Sequence, residues 1–154
     1  MCWSPAALAG QAGDKIIIKD TPKAIVEPPR EMLSPYSPAL RGAIRRVELP
    51  PGVKKIAFTF DNCEQPYEVA GYDSEIVNTL RENNVRATFF AGGKWMMTHP
   101  EQTQQLLADP LFEVGNHAWE HRNLRLLEGQ RQVDEVRWTQ AAYERQVTAL
   151  DKRR

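Results

Sequence analysis

Cysteine is scarce: only Cys2 and Cys63 occur in 154 residues, which excludes a fold held by disulfides. No apolar run approaches the ~18 residues of a membrane span. Neither sign of charge dominates, since 20 Lys and Arg face 20 Asp and Glu. That balance excludes the broad basic field by which proteins hold nucleic acid or anionic lipid. Histidine numbers only three, and neither an internal repeat nor a low-complexity tract occurs. What is present is an apolar fraction of 42%, ordinary for a globular protein once glycine is added. The length suits one domain and falls short of the about 250 residues of a complete (β/α) barrel.

Proline divides the chain. Eight of its 11 prolines lie at or before Pro51, and each fixes φ and removes a backbone donor. Residues 1–53 therefore read as a Pro-rich irregular arm, and 54–154 as the folded part. Within the arm, Ile16 to Ile18 offer a short strand and Arg41 to Arg46 a helical turn. Met1 to Gly13 are rich in small residues, with Ala7-Leu8-Ala9 resembling a cleavage site, but the first Lys is Lys15. This segment reads either as the tail of a secretory signal or as a loose terminus.

Beyond residue 53 strands and helices alternate. Lys55 to Phe60 is a β-favouring run, apolar on both faces, as expected inside a covered parallel sheet. A helix follows from Asp73 to Asn84 with Ile76, Val77 and Leu80 on one face, capped by Asp73 or Ser74. Ala87 to Ala91 is a second strand, Trp95 to Ala108 a second helical stretch, and Phe112 to Gly115 a third strand. The last helix spans Gln130 to Ala149, with Val133, Val136, Gln140, Tyr143, Val147 and Leu150 at 3–4 spacing as a face docked on the sheet or, over this short run, a coiled-coil seam. This order predicts an α/β fold with parallel strands, whose ligand face lies at the strands' carboxyl ends.

The chemistry-bearing residues fall at those ends. Asp61-Asn62-Cys63 follow the first strand, and His117-Ala118-Trp119-Glu120-His121 follow the third. On a helical turn the imidazoles at i and i+4 would be neighbours able to share one cation; the alternative is two unrelated surface histidines. Asp61 reads as a general base beside a metal or as a loop cap. Cys63 reads as an inert buried thiol or as a thiolate nucleophile paired with His117. The pentapeptide also fits the H-x-x-E-H pattern of inverted zinc peptidases, with Glu120 as base, which requires a helix through both histidines. Ala91 to Trp95 lacks the first Gly and the Ser/Thr of a phosphate loop and is excluded as one. His99, before Pro100, reads as a solvated cap, and Trp119 as a packed ring or a sugar platform.

Taken in series, Ile56 to Asn62, Ala87 to Phe90 and Val114 to Leu124 resemble the NodB-type polysaccharide deacetylase family in order and spacing. The resemblance implies the N-terminal part of a distorted (β/α) barrel and a metal-dependent hydrolase acting on N-acetylated polysaccharide, chitin-like or peptidoglycan. It implies Asp61 as catalytic base, and His117 and His121 as metal ligands. Asn62 stands where most members place a metal-binding Asp. The implied cofactor is a divalent metal, usually zinc.

Three departures accompany it. Asn62 replaces a carboxylate, and Ala118 replaces the Ser/Thr that usually braces the metal loop. The family's later Arg-x-Pro, Asp-Trp and Leu-x-His segments do not occur after His121. The expectation is a truncated form, weakly active or inactive, or a non-catalytic carbohydrate- or metal-binding remnant. Half a barrel would leave a sheet edge uncovered and favour self-association. The implied cell-wall substrate places the protein in the secreted or cell-envelope compartment.

Overall fold

The computed structural model describes Ser37, Pro38, Gly42 and residues 45–153. The expected strand at 16–18 and cleavage site at 7–9 lie outside the described residues. So does most of the turn at 41–46, of which Arg45 and Arg46 carry no helix. Residues 45–53 are exposed and irregular apart from a turn at Pro51-Gly52.

Three five-residue strands, β1 (Phe58–Asn62), β2 (Ala87–Ala91) and β3 (Phe112–Asn116), form a parallel sheet in the order β1-β2-β3. The expected first strand is displaced by the register. Phe58 pairs with Ala87, where β2 begins, so Lys55 to Ala57 find no ladder partner and Asp61 and Asn62 lie inside the strand. Ile56 is 83% exposed in consequence.

Strand parity then sorts the side chains. Phe60, Asn62, Ala87, Phe89, Ala91, Val114 and Asn116 share one face by register. There Phe89 and Ala91 are buried, and Phe60 stacks on Phe89 with ring centroids 5.1 Å apart. Thr59, Asp61, Thr88, Phe90, Glu113 and Gly115 share the other face, where none is fully buried. The sheet is thus covered on one face among the described residues, rather than on both as its apolar strands suggested.

Helix α1 (Ser74–Glu82) starts where the Asp73 carboxylate accepts from the amides of Glu75 and Ile76 at 3.0 and 3.2 Å, and it buries Val77 and Leu80. The expected helical stretch over 95–108, with Pro100 in the first turn of its main part, is two helices: α2 (Gly93–Thr98) and α3 (Pro100–Ala108). Proline disfavours helical backbone in the residue before it, and His99 breaks the run at φ −124°, ψ 58°.

Helix α4 (Gln130–Asp151) departs most from its sequence pattern. Val133 and Val136 are each 45% exposed. The buried stripe is Glu135, Thr139, Ala142 and Gln146. Small and polar side chains let α4 approach α2 and α3 closely, and the polar atoms are mostly paired. Gln104 donates to Gln146 at 2.9 Å, and Gln146 donates to the Met96 carbonyl at 3.1 Å.

Arg81 on α1 donates through Nε to Asp109 Oδ2 at 2.6 Å, tying α1 to the turn before β3. Burial pushes the Asp109 carboxyl up. The hydrogen bonds from Arg81 and the Leu111 amide, with the guanidinium charge, outweigh it and hold the carboxyl below its ordinary value. A depressed folded pKa contributes stability that is whole above the unfolded value and is lost as pH falls through the folded one. Urea unfolding is therefore expected to show wild-type stability declining below about pH 4, with a shallower decline in Asp109→Asn. Parallel pH profiles for the two proteins would contradict this.

Candidate active site

The candidate side chains sit at the carboxyl ends of β1 and β3. Asp61 is inside β1, on the open face, and its Oδ2 lies 3.9 Å from His117 Nε2. His117 is the first residue after β3, held there by donating its amide to the Ala91 carbonyl at 3.1 Å. Its ring stands 4.9 Å from that of His121, centroid to centroid.

The two histidines do not meet on a helix. Residues 117–123 carry no helical backbone. Ala118 and His121 instead adopt positive φ, 62° and 55°, which fold the segment back on itself. Such backbone is costly for residues with a Cβ, so the surroundings must hold it. The imidazoles are neighbours, as their i, i+4 spacing predicts, but a folded-back loop and not a helix makes them so. The inverted zinc peptidase pattern fails with it, because its helix is missing and Glu120 is engaged by Arg122 at 2.8 and 2.9 Å.

The brace is a carboxylate that the sequence pattern concealed. Glu135 on α4 is 3% exposed, and its Oε2 accepts from the amides of Trp119 and Glu120, each at 3.0 Å. Asn116 accepts from the Ala118 amide and donates to the Val136 carbonyl, both at 3.0 Å. From the other side, the first amides of α2 close on the loop. Gly93 donates to the Ala118 carbonyl at 3.0 Å and Lys94 to the Trp119 carbonyl at 3.1 Å. Gly93 must lack a side chain, because a Cβ there would strike the Trp119 ring and come within 2.9 Å of Thr139 Cα. Asn116, Glu135 and the α2 amides thus brace the loop, where the Ser/Thr expected at Ala118 is missing. Glu135 was missed because a carboxylate in an amphipathic helix reads as solvated. The only available signal was its i, i+4, i+7, i+11 alignment with Thr139, Ala142 and Gln146.

Other expectations resolve plainly. Trp119 is 2% exposed and meets Trp138 edge to face, so it is a packed ring. His99 is stacked on Trp95 at 4.9 Å rather than solvated, and makes no side-chain cap bond. Lys94 turns its ammonium onto backbone carbonyls, as the exclusion of a phosphate loop requires.

Burial lowers the His117 imidazole below its ordinary value. The Asp61 charge opposes this, and the His121 charge adds to it. Its Nε2 is buried and makes no hydrogen bond. One donor atom each from Cys63, His117 and His121 lie within 4.8 Å of one another. An orphaned imidazole nitrogen in such a donor group fits a divalent cation.

The sequence model of the polysaccharide deacetylase family matches residues 48–151. The chain belongs to the polysaccharide deacetylase family. This family member is 32% identical over 89 residues to the peptidoglycan-N-acetylglucosamine deacetylase PgdA of Listeria monocytogenes, covering 58% of this chain and 18% of that protein. The solved structure of peptidoglycan deacetylase PdaC from Bacillus subtilis matches with a TM-score of 0.53 and 29% identity, over 65% of this chain and 47% of that one. A CE4-family pseudoenzyme from Bacillus anthracis matches with a TM-score of 0.51 and 25% identity, over 63% of this chain and 33% of that one. The chain spans less than half the length of these relatives. The fold is accordingly an α/β arrangement with a parallel sheet, a part of the NodB-type barrel.

Proposed function

We propose that this chain carries the water-activating half of a hydrolytic site for N-acetyl groups on a polysaccharide of the peptidoglycan or chitin class. The observation that carries the reading is the convergence of Asp61, His117 and His121 on the open sheet face, with Asp61 Oδ2 3.9 Å from His117 Nε2. The family supplies the reaction class, and the names of the Listeria and Bacillus relatives supply the substrate class.

His117 and His121 would hold a divalent cation, zinc being usual in the family; the resemblance implies the Asn62 amide oxygen as a further donor. A bound cation of this kind polarises an acyl oxygen and makes water more acidic. The Asp61 carboxylate, 37% exposed at the rim, accepts the proton of the attacking water. The open face leaves room for a polymer. An acid for the departing amine is missing among the described histidines. The remaining one, His99, lies against Trp95 and 3.6 Å from Glu64 Oε1, away from this pair.

That asymmetry sets the test. An amide nitrogen must be protonated to leave, whereas a phenolate leaves unaided. The zinc-loaded chain is expected to hydrolyse aryl acetates and to release acetate from N-acetylglucosamine oligomers far more slowly. Asp61→Asn is expected to lower aryl acetate hydrolysis by about 10²–10⁴-fold. Equal rates in wild type and Asp61→Asn would remove Asp61 from the reaction. Zinc binding with no ester turnover in either protein would favour a non-catalytic reading, for which the pseudoenzyme relative is a precedent of fold.

A peptidoglycan substrate lies outside the cytoplasm, so the same reading places the protein in the secreted or envelope compartment. No described helix is long and apolar enough to cross a membrane. The edge at β1, uncovered among the described residues, is further proposed to self-associate. Phe58 is 46% and Ile56 83% exposed there, beside unpaired backbone groups. Sedimentation is expected to show a mass that rises with concentration and rises less in Ile56→Lys. A concentration-independent monomer would exclude it.

A further inference from the structure

The reaction scheme above leaves Cys63 idle, although it stands closer to the imidazole pair than its sequence context suggested. Cys63 directly follows β1, two residues beyond Asp61, whose carboxylate faces His117. Its Sγ and one ring nitrogen of each of His117 and His121 lie within 4.8 Å of one another. No other group of three His, Cys, Asp or Glu donors gathers in this way among the described residues. His117 Nε2 is buried there without a hydrogen bond.

Asn62 has the strand parity opposite to that of Asp61. It is in register with Ala91, which is fully buried on the helix-covered face. Its carbonyl accepts from the Gly92 amide at 2.8 Å, so the end of β1 is pinned. Bringing Asn62 to the open face would need a one-residue slip of the strand.

We propose that the Cys63 thiolate, not the Asn62 amide, is the third protein ligand of the cation held by His117 and His121. This rests on the metal reading of the histidine pair and changes the donor set of that site. A thiolate with two imidazoles suits a borderline-soft ion such as Zn²⁺ or Co²⁺ and disfavours Mg²⁺ or Mn²⁺. The thiol proton passes to solvent as the ion binds, one proton per ion, and no oxidant or reductant is involved. Asp61 stays outside the ligand set, free to act on water. Three protein donors leave a fourth position open, as in catalytic zinc sites.

Cobalt titration of the full chain, followed by absorbance, tests this. Co²⁺ is expected to raise a near-ultraviolet thiolate-to-metal charge-transfer band that saturates at one equivalent. The band should vanish in Cys63→Ser and persist in Asn62→Ala and Cys2→Ser. A second measurement needs no variant. Zn²⁺ should slow alkylation of Cys63 by iodoacetamide roughly tenfold or more, read by peptide mass spectrometry, and leave Cys2 unchanged. Cobalt bound without the band, or a band that survives Cys63→Ser, overturns Cys63 as ligand. If His117→Ala still abolishes cobalt binding in that case, the histidine metal site itself stands. A wild-type chain that binds neither Co²⁺ nor Zn²⁺ overturns both.

Discussion

Lys94→Met is expected to cost about 3–5 kcal/mol of folding stability, the range for stranding one member of a buried ion pair. The Lys94 side chain is 5% exposed, and its Nζ lies 3.9 Å from Oε2 of Glu64, whose side chain is fully buried. Its three donors are spent on the carbonyls of Gln65, Pro66 and Glu68 at 2.6, 3.2 and 2.9 Å. Glu64 Oε1 accepts from Thr98 Oγ1 at 2.8 Å and from the Ala70 amide at 3.3 Å, while Oε2 has no hydrogen-bond partner. Methionine fills the volume, supplies no donor and removes the ammonium that faces Glu64 Oε2. The loop after β1 is held to α2 by this lysine, so its release would also loosen the end of β1 beside the site. Urea denaturation measures the loss. The double variant Lys94→Met with Glu64→Gln is expected to recover part of it, because the carbonyls remain unpaired after the charge is gone. A change below about 1 kcal/mol in the single variant would mean that water replaces the ammonium freely.

Glu135→Ala is expected to weaken Zn²⁺ binding by about 10–100-fold, the usual range for a residue that orients metal ligands. Positive φ at Ala118 and His121 brings the two imidazoles together, and the Glu135 carboxylate satisfies the amides of Trp119 and Glu120 between them. Without an acceptor these buried amides cost about 1–3 kcal/mol each, and extended backbone becomes the better state for the loop. Glu135→Gln keeps an acceptor oxygen of the same reach and is expected to restore most of the affinity. Calorimetric titration of folded protein reads both effects. Unchanged zinc affinity in Glu135→Ala would show that the loop holds its shape without the brace. Equal losses in the Ala and Gln variants would point to the charge rather than the hydrogen bonds.

The residues that failed to announce themselves share a property. Glu135, Gln146, Lys94 and Glu64 are buried polar groups, and periodicity arguments count apolar side chains only. In α4 the valines at 133 and 136 suggested a docking face that the fold turns to solvent. A helix that must supply a carboxylate to one loop and an amide to its neighbours rotates to do so, and its small residues Ala141 and Ala142 make the close approach possible. The break between α2 and α3 was, by contrast, available locally, since Pro100 restricts the residue before it.

The sequence by itself determined the alternation of strands and helices, the parallel sheet and the placing of Asp61, His117 and His121 at strand ends. Each follows from local preference, from hydrophobic runs and from the rule that parallel α/β loops meet at one rim. Only the tertiary structure decided which face each donor occupies. The β1–β2 register sets Asp61 beside Phe90 on the open face and Asn62 beside buried Ala91 on the helix-covered one. The shape of the histidine loop was decided there too, because left-handed backbone at Ala118 and His121 survives only where distant residues accept its amides.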